Sequence, residues 1–219
     1  MRKGSRVSEY AERIDALLPQ IQCRKCGYDG CTPYASAIER GEAAINRCPP
    51  GGDALIAGLS ALTGKPTLPL DPACGPASTR QIAWIDESRC VRCTLCIRPC
   101  PVDAIAGAPK QLHTVLADYC TGCGLCLPPC PVDCIEMRPL PDPSWSKPQA
   151  DQARSRHAAR QIRIAVQTAQ DQARRAARAA PRGASEIAES ARRKAVIDAA
   201  LARATAKRAA RANPGSGRP

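Results

Sequence analysis

The stretch CVRCTLCIRPCPVDAI, residues 90–105, recurs thirty residues later as CTGCGLCLPPCPVDCI, residues 120–135, with ten of sixteen positions identical. Cys90, Cys93, Cys96 and Cys100 stand as C-x2-C-x2-C-x3-C with Pro101 next, and Cys120, Cys123, Cys126 and Cys130 repeat that spacing before Pro131. Three thiolates with two residues between each can wrap one side of a 4Fe-4S cube, so the fourth must arrive from elsewhere. In two-cluster bacterial ferredoxins the fourth Cys of each run serves the other cluster. The spacing therefore assigns Cys90, Cys93, Cys96 and Cys130 to one cube, and Cys120, Cys123, Cys126 and Cys100 to a second. Four thiolates also suit zinc, but zinc ribbons use paired C-x2-C knuckles and not a triple run closed by Cys-Pro. The chemistry expected from this stretch is the movement of single electrons.

A third group lies upstream. It reads Cys23-x2-Cys26-x4-Cys31, with Cys48 after a gap of sixteen residues and followed by Pro49-Pro50. Taken alone, it suits either zinc or a single iron–sulfur cube. Gly27, Gly30 and the residues between them would let backbone N–H groups point at cluster sulfurs and so tune potential. Cys74 and Cys134 are left over. Cys134 occupies the position of Ala104 in the first repeat and is expected to be a small buried side chain on a helix; Cys74 is expected to be an unligated thiol in a linker. His113 and His157 have no Cys or carboxylate at ligand spacing and read as ordinary surface residues. Asp86, Asp103, Asp118 and Asp133 read as caps or turns. No phosphate loop, dinucleotide fingerprint or nucleophile–base pair stands in the chain, so no catalytic residue is assigned and no substrate pocket is expected.

The composition agrees. The 219 residues include 14 Cys, 2 Trp, 4 Tyr and no Phe, so a large aromatic core is not available and cofactor-tied modules are expected. The start, MRKGSRVSEYAERIDALL, has no apolar signal region, and no stretch approaches eighteen apolar residues. An intracellular, reducing compartment follows, where clustered Cys bind metal and not each other. The net charge of +12 is uneven: residues 151–219 hold 16 Arg and Lys against 5 Asp and Glu, leaving 16 against 15 for the rest. An oxidised cube with four thiolates carries roughly −2, so three of them would leave a cluster-bearing body near about −5 and a tail near +11.

The expected fold class is α+β. A small helical iron–sulfur domain (8–64) precedes a Pro-rich linker (65–80), a ferredoxin-like domain holding two 4Fe-4S clusters (81–140), a second linker (141–150) and a basic tail (151–219), helical or disordered. Residues 1–7 read as a frayed terminus. Helices are expected over Ala11–Leu18 up to Pro19, from Thr32-Pro33 to Gly41 with Thr32 as cap, and over Ala54–Leu62 capped by Asp53 and ended by Gly64. Strands are expected at Ile82–Ile85 and Thr114–Leu116. The Pro-Val-Asp segments fit short helices, giving two βαβ-like halves. Few contacts should cross the first linker. Ala-rich residues 151–212 favour helix, with a break at Pro181-Arg182-Gly183 and an end at Asn213-Pro214, and carry too little apolar area for a core.

Leu18-Pro19-Gln20, CRKCGYDGC (23–31), Pro33-Tyr34-Ala35 and INRCPPGG (45–52) resemble the cluster domain of the B subunit of the Rnf/Rsx ion-translocating electron transport complex. CTLCIRPCPVDAI (93–105), HTVLADYCTGC (113–123) and LPPCPVDCI (127–135) resemble the ferredoxin domain of the same family. The resemblance spans residues 10 to 140. It implies that Cys23, Cys26, Cys31 and Cys48 bind a further 4Fe-4S cluster, making three. It also implies electron passage between redox partners, other subunits of such a complex among them, coupled to ion transport or to reduction of a redox-sensing regulator. Members of that family usually begin with a membrane-spanning helix, where none is expected from the residues here, and the basic tail is not part of the family pattern. A cytoplasmic carrier is expected, soluble or peripheral on the cytoplasmic face of the inner membrane. Arg24 and Lys25, where small or neutral residues are commoner, would raise the first cluster's potential or form a docking spot. The tail would contact an acidic partner, an anionic membrane surface, nucleic acid or the chain's own cluster-bearing body. The alternative function is that of a nucleic-acid-associated iron–sulfur protein, although the tail has no interleaved aromatics for base stacking.

Overall fold

The computed structural model describes residues 8–179 and 183–212. The expected frayed terminus at residues 1–7, most of the break at 181–183 and the stop at Asn213-Pro214 lie outside them. The chain divides into two compact units, Met1–Ala165 and Val166–Pro219.

The first helices follow from the apolar spacing. Helix α1 (Glu9–Leu17) is capped by Ser8, whose Oγ accepts from the Ala11 N–H at 3.1 Å, and it ends before Pro19. Helix α2 (Cys31–Glu39) starts two residues earlier than its Thr-Pro signal suggests, with Gly30 at the cap. Thr32 is not the cap because its hydroxyl donates to Asp15 Oδ1 at 3.0 Å instead. Helix α3 (Gly52–Thr63) likewise starts before Asp53, which sits in its first turn, and Gly64 closes it in a left-handed conformation. Ile14, Leu18, Tyr34, Ile38, Ile45, Leu55, Ile56 and Leu59 form the core between these helices. The Tyr34 hydroxyl is satisfied inside it, donating to Ala44 O at 2.8 Å and accepting from the Arg47 N–H at 3.1 Å.

The repeat builds two antiparallel ribbons. Strand β1 (Gln81–Ile85) pairs with β4 (Ile135–Pro139), and β2 (Ile105–Ala106) pairs with β3 (Thr114–Val115). The expected βαβ halves are corrected here. No helix forms at either Pro-Val-Asp segment; each is a turn, with Asp103 at φ +52° and Asp133 at φ +45°. A left-handed residue ends a helical path after one turn. Cys134 is buried as expected, but on the extended approach to β4 and not on a helix. Ala83, Ile85, Val102, Ile105 and Ile135 form the second core together with buried thiols.

The expectation of few contacts across 65–80 is also corrected. The linker lies against the first module: the Asp71 N–H donates to Asn46 O at 2.9 Å, the Asn46 amide to Pro69 O at 2.6 Å, and Arg47 pairs with Asp71 at 3.3 Å. The two cores are tied directly as well. Thr121 Oγ1 donates to Ile21 O at 3.0 Å, and Trp145 Nε1 donates to Pro19 O at 2.7 Å. Pro-rich composition gave no periodicity to read, but Pro carbonyls remain good acceptors, as those of Pro69 and Pro19 show.

Helix α4 (Lys147–Ala179) starts inside the expected second linker, and its first turns belong to the body. Ala150 and Ala153 are buried. Arg154 pairs with the buried Asp15 at 3.0 Å, and Arg160 and Arg163 each reach Asp103 at 2.6 Å. Arg156 donates to Val102 O at 2.8 Å and Asp103 O at 3.0 Å, and its guanidinium lies 3.7 Å over the Tyr119 ring. Of the contacts expected for the tail, that with the chain's own body is the one formed here. Apolar content understated this segment because its docking uses guanidinium groups on carbonyls and carboxylates. In the second unit, helix α5 (Ala184–Ala212) exposes Ile187, Val196, Ile197 and Leu201.

Removing residues 151–219 should therefore destabilise the protein by about 1–3 kcal/mol, allowing for the partial exposure of Arg154. Removing only 166–219 should leave the unfolding midpoint unchanged. Denaturant melts of the two truncated proteins beside the full chain check this.

Candidate iron–sulfur centres

Twelve thiols gather in three places. At the first, Cys23, Cys26, Cys31 and Cys48 line one small cavity with Ile21, Tyr34 and Pro49. At the second, Cys100, Cys120, Cys123 and Cys126 line another with Ala83, Val102, Ile105 and Met137. Cys100 comes from the first repeat and its three companions from the second. At the third place the thiols whose charges act on Cys96 are Cys93, Cys90 and Cys130, so the exchange is reciprocal. Cys74 is buried beside Arg47 and Asp71, and its charge acts on Cys26 of the first set.

The loops that hold these thiols are unusual backbone. Arg92 and Thr94 adopt φ +59° and +65°, and the repeat-equivalent Gly122 and Gly124 adopt +73° and +75°. The conformation is thus demanded by the C-x2-C-x2-C loop itself. The second copy meets it with glycine, and the first accepts an L-residue penalty of about 1 kcal/mol at each position. Gly122 has a further reason: a Cβ there would lie 2.2 Å from Gln81 O. Upstream, Gln20, Gln22 and Arg24 also take positive φ, alternating with Ile21 and Cys23. Such alternation turns successive N–H groups to one side and makes a concavity for negative charge.

Burial sets the thiol chemistry. It pushes Cys31 and Cys126 up to about 12, and Cys96 and Cys123 up to about 11, each reinforced by neighbouring thiols of its own set. Cys26 and Cys48 are raised by the same cause. Backbone donors pull the other way at Cys48 through Gly51 and at Cys123 through Leu125. The Ala104 N–H donates to Cys100 Sγ at 3.2 Å. At Cys130, burial is outweighed by donors from Val132, Cys134 and Asp133, and its thiol is lowered. Cys134 Sγ lies 3.5 Å from Cys130 Sγ. Dry thiols are poor as free thiolates and good as ligands of a cation that replaces their protons, and N–H donors aimed at sulfur favour the ligated, charged form.

The donor set fits iron–sulfur clusters. Among the described residues no three His, Cys, Asp or Glu side chains converge as they would on one metal ion. All-thiolate donors of this spacing suit iron and sulfide.

Several residues at the sites carry no sequence signal of the kind read above. Asp15, Gln20 and Gln22 form a buried chain: Gln20 Nε2 donates to Asp15 Oδ2 at 3.0 Å, Gln22 Nε2 to Gln20 Oε1 at 2.9 Å, and Gln22 Oε1 accepts from the Cys31 N–H at 2.9 Å. His113 and His157 are not the surface residues expected. His157 Nδ1 lies 3.0 Å from Pro101 O. His113 is 1% exposed, with Nδ1 at 3.6 Å from Cys90 Sγ and 3.7 Å from Cys96 Sγ. Both histidines are distant in sequence from the atoms they meet, so spacing could not reveal them. Arg24 is exposed and faces Asp29 at 3.6 Å.

Fold and thiol sets define an iron–sulfur protein of the ferredoxin class with an additional cluster domain. Residues 83–137 match the family model described as "4Fe-4S dicluster domain", and residues 18–50 match one described as "Putative Fe-S cluster". The B subunit of the ion-translocating oxidoreductase complex of Alkalilimnicola ehrlichii is 58% identical over 149 residues, covering 66% of this chain and 80% of the relative. The B subunits of that complex in Thiobacillus denitrificans and Hahella chejuensis are 57% and 55% identical, over 49% and 63% of this chain. The chain spans 57% of the Thiobacillus relative's length and 71% of the Hahella relative's. No solved structure matches. The chain belongs to the family of B subunits of ion-translocating oxidoreductase complexes. Among the described residues no helix is long and apolar enough to cross a membrane.

Because the raised thiols of the apo protein are protonated near neutrality, loading must release protons. Loading should weaken as pH falls from about 8 to about 6, and the gain with pH should persist until the thiols titrate, up to about 12 for Cys31 and Cys126. Iron uptake followed in weak buffer with a pH electrode checks both the release and its sign.

Proposed function

We propose that this chain is a three-cluster electron carrier that passes electrons between protein partners in an ion-translocating oxidoreductase complex. One 4Fe-4S cluster is held by Cys23, Cys26, Cys31 and Cys48, a second by Cys90, Cys93, Cys96 and Cys130, and a third by Cys120, Cys123, Cys126 and Cys100. The observation that carries this reading is the exchange of Cys100 and Cys130 between the two repeats, each joining the three thiols of the other run. That exchange is what a pair of cubes in a ferredoxin requires. The relatives' printed name supplies the complex.

Each cluster would supply a site that gains and loses one electron, and the chain's own groups do the rest. The thiolates fix the positions. Backbone donors such as the Ala104 N–H on Cys100 favour the more negative state. The apolar walls, Val102, Ile105 and Met137 at one cavity and Ile21 and Pro49 at another, exclude water. The body also takes its own basic helix: Arg160, 9% exposed, holds Asp103 behind Cys100. That contact spends part of the tail's charge within the chain, and none of the comparisons points to nucleic acid.

Anaerobically reconstituted protein should contain about twelve iron and twelve sulfide per chain. Cys100→Ser should damage the cluster of Cys120, Cys123 and Cys126 and spare that of Cys90, with Cys130→Ser doing the reverse. Metal and sulfide assays with EPR of the reduced variants decide it. Stoichiometric zinc in place of iron, or loss in each variant of the cluster of its own run, would sink the assignment.

A further inference from the structure

The thirty-residue offset relates the two ribbons position by position. Ala83 of β1 is the counterpart of His113, and Gly107 that of Met137. Ala83 and Met137 face each other across the β1–β4 pair, and both line the cavity of Cys100, Cys120, Cys123 and Cys126. Gly107 and His113 stand in the same relation, one step beyond the paired residues Ala106 and Thr114. They meet closely: a Cβ on Gly107, at φ +152°, would lie 2.1 Å from His113 Cδ2. The same place is therefore filled twice by opposite choices. In one half a Met lies across from a small Ala. In the other a Gly makes room for an imidazole.

The imidazole faces sulfur. His113 Nδ1 is 3.6 Å from Cys90 Sγ and 3.7 Å from Cys96 Sγ, while Nε2 is buried without a hydrogen-bond partner. A neutral imidazole carries one N–H. With the proton on Nε2, a buried donor would be orphaned and the Nδ1 lone pair would face two thiolates. With the proton on Nδ1, the donor meets sulfur and only an acceptor is left unpaired. The second arrangement costs less, so the partners choose the Nδ1–H tautomer. Neither Ala83 nor Met137 has a donor to offer the other cavity.

We infer that His113 is a positioning residue that makes the two ferredoxin-type centres unequal, raising the reduction potential at Cys90, Cys93, Cys96 and Cys130 above that at Cys120, Cys123, Cys126 and Cys100. An N–H aimed at ligand sulfur stabilises the added electron, and hydrogen bonds to sulfur are among the main determinants of cluster potential. An electron shared by the pair then rests at the His113 end, which gives a nearly duplicated module a direction. This rests on the cluster assignment proposed above.

The test uses the full chain, reconstituted anaerobically. Ring-15N-histidine should give a nitrogen coupling in pulsed EPR of one reduced signal, absent from His113→Gln. His113→Leu should lower the reduction equilibrium of that same centre about tenfold, about 59 mV for one electron, and leave the other two unmoved. His113→Gln, which keeps an N–H, should recover most of the shift. Three unmoved potentials in His113→Leu, with iron and sulfide content normal, would overturn this inference alone. If His113→Leu does not load, the labelled wild type decides, and absence of histidine coupling overturns the inference. Wild-type protein without iron and sulfide would overturn the cluster assignment first and this inference with it.

Discussion

Twelve thiols gathered in three places, six of them buried and one, Cys93, exposed, are the constraint on which the rest of this molecule depends. A thiolate cannot be left unpaired in such surroundings, so a buried thiol beside others keeps its proton until a cation takes its place. The chain answers with backbone in place of side chains. Left-handed residues at Arg92, Thr94, Gly122 and Gly124 turn the two runs at matched positions, and N–H groups such as that of Ala104 meet sulfur. Apolar material is scarce, so the cores are small and the thiols themselves form much of the second one. Iron and sulfide are then structural as well as functional, since filling the cavities replaces protons that burial has made hard to remove.

Scarcity of apolar area also explains how the parts are joined. The two cores meet through single directed contacts, Thr121 to Ile21 and Trp145 to Pro19, and not through a broad greasy interface. Helix α4 adds a strap of guanidinium groups. Arg154 reaches the buried carboxylate that also receives Gln20 and Thr32, and Arg156, Arg160 and Arg163 close over the turn that follows Cys100. A basic segment attached to an acidic, cluster-loaded body has its nearest partner within its own chain. What remains of the basic charge, beyond Ala165, is the part available to other molecules.

The near-duplication of the ferredoxin module would by itself give two similar centres. Function in a relay asks for dissimilar ones. The differences between the halves fall where they bear on sulfur: His113 with Gly107 against Ala83 with Met137, and Cys134 beside Cys130 where the first copy has Ala104 beside Cys100. The framework is kept between the copies because the cube demands it, and the variation is carried by the residues around it.

The α+β class and the extents of the first three helices, to within about two residues, were legible in the sequence alone, because apolar spacing and breakers are local. Cys100 and Cys130 could be assigned across the repeat because a triple run cannot supply its own fourth corner. The Pro-Val-Asp helices were misjudged because propensity does not show that Asp103 and Asp133 turn left-handed. His113, 17 residues from Cys96, and Arg154, 139 residues from Asp15, had no spacing to betray them. Tertiary structure decided those contacts, because the loops first had to close around the thiols before an imidazole or a guanidinium could find what they left unpaired.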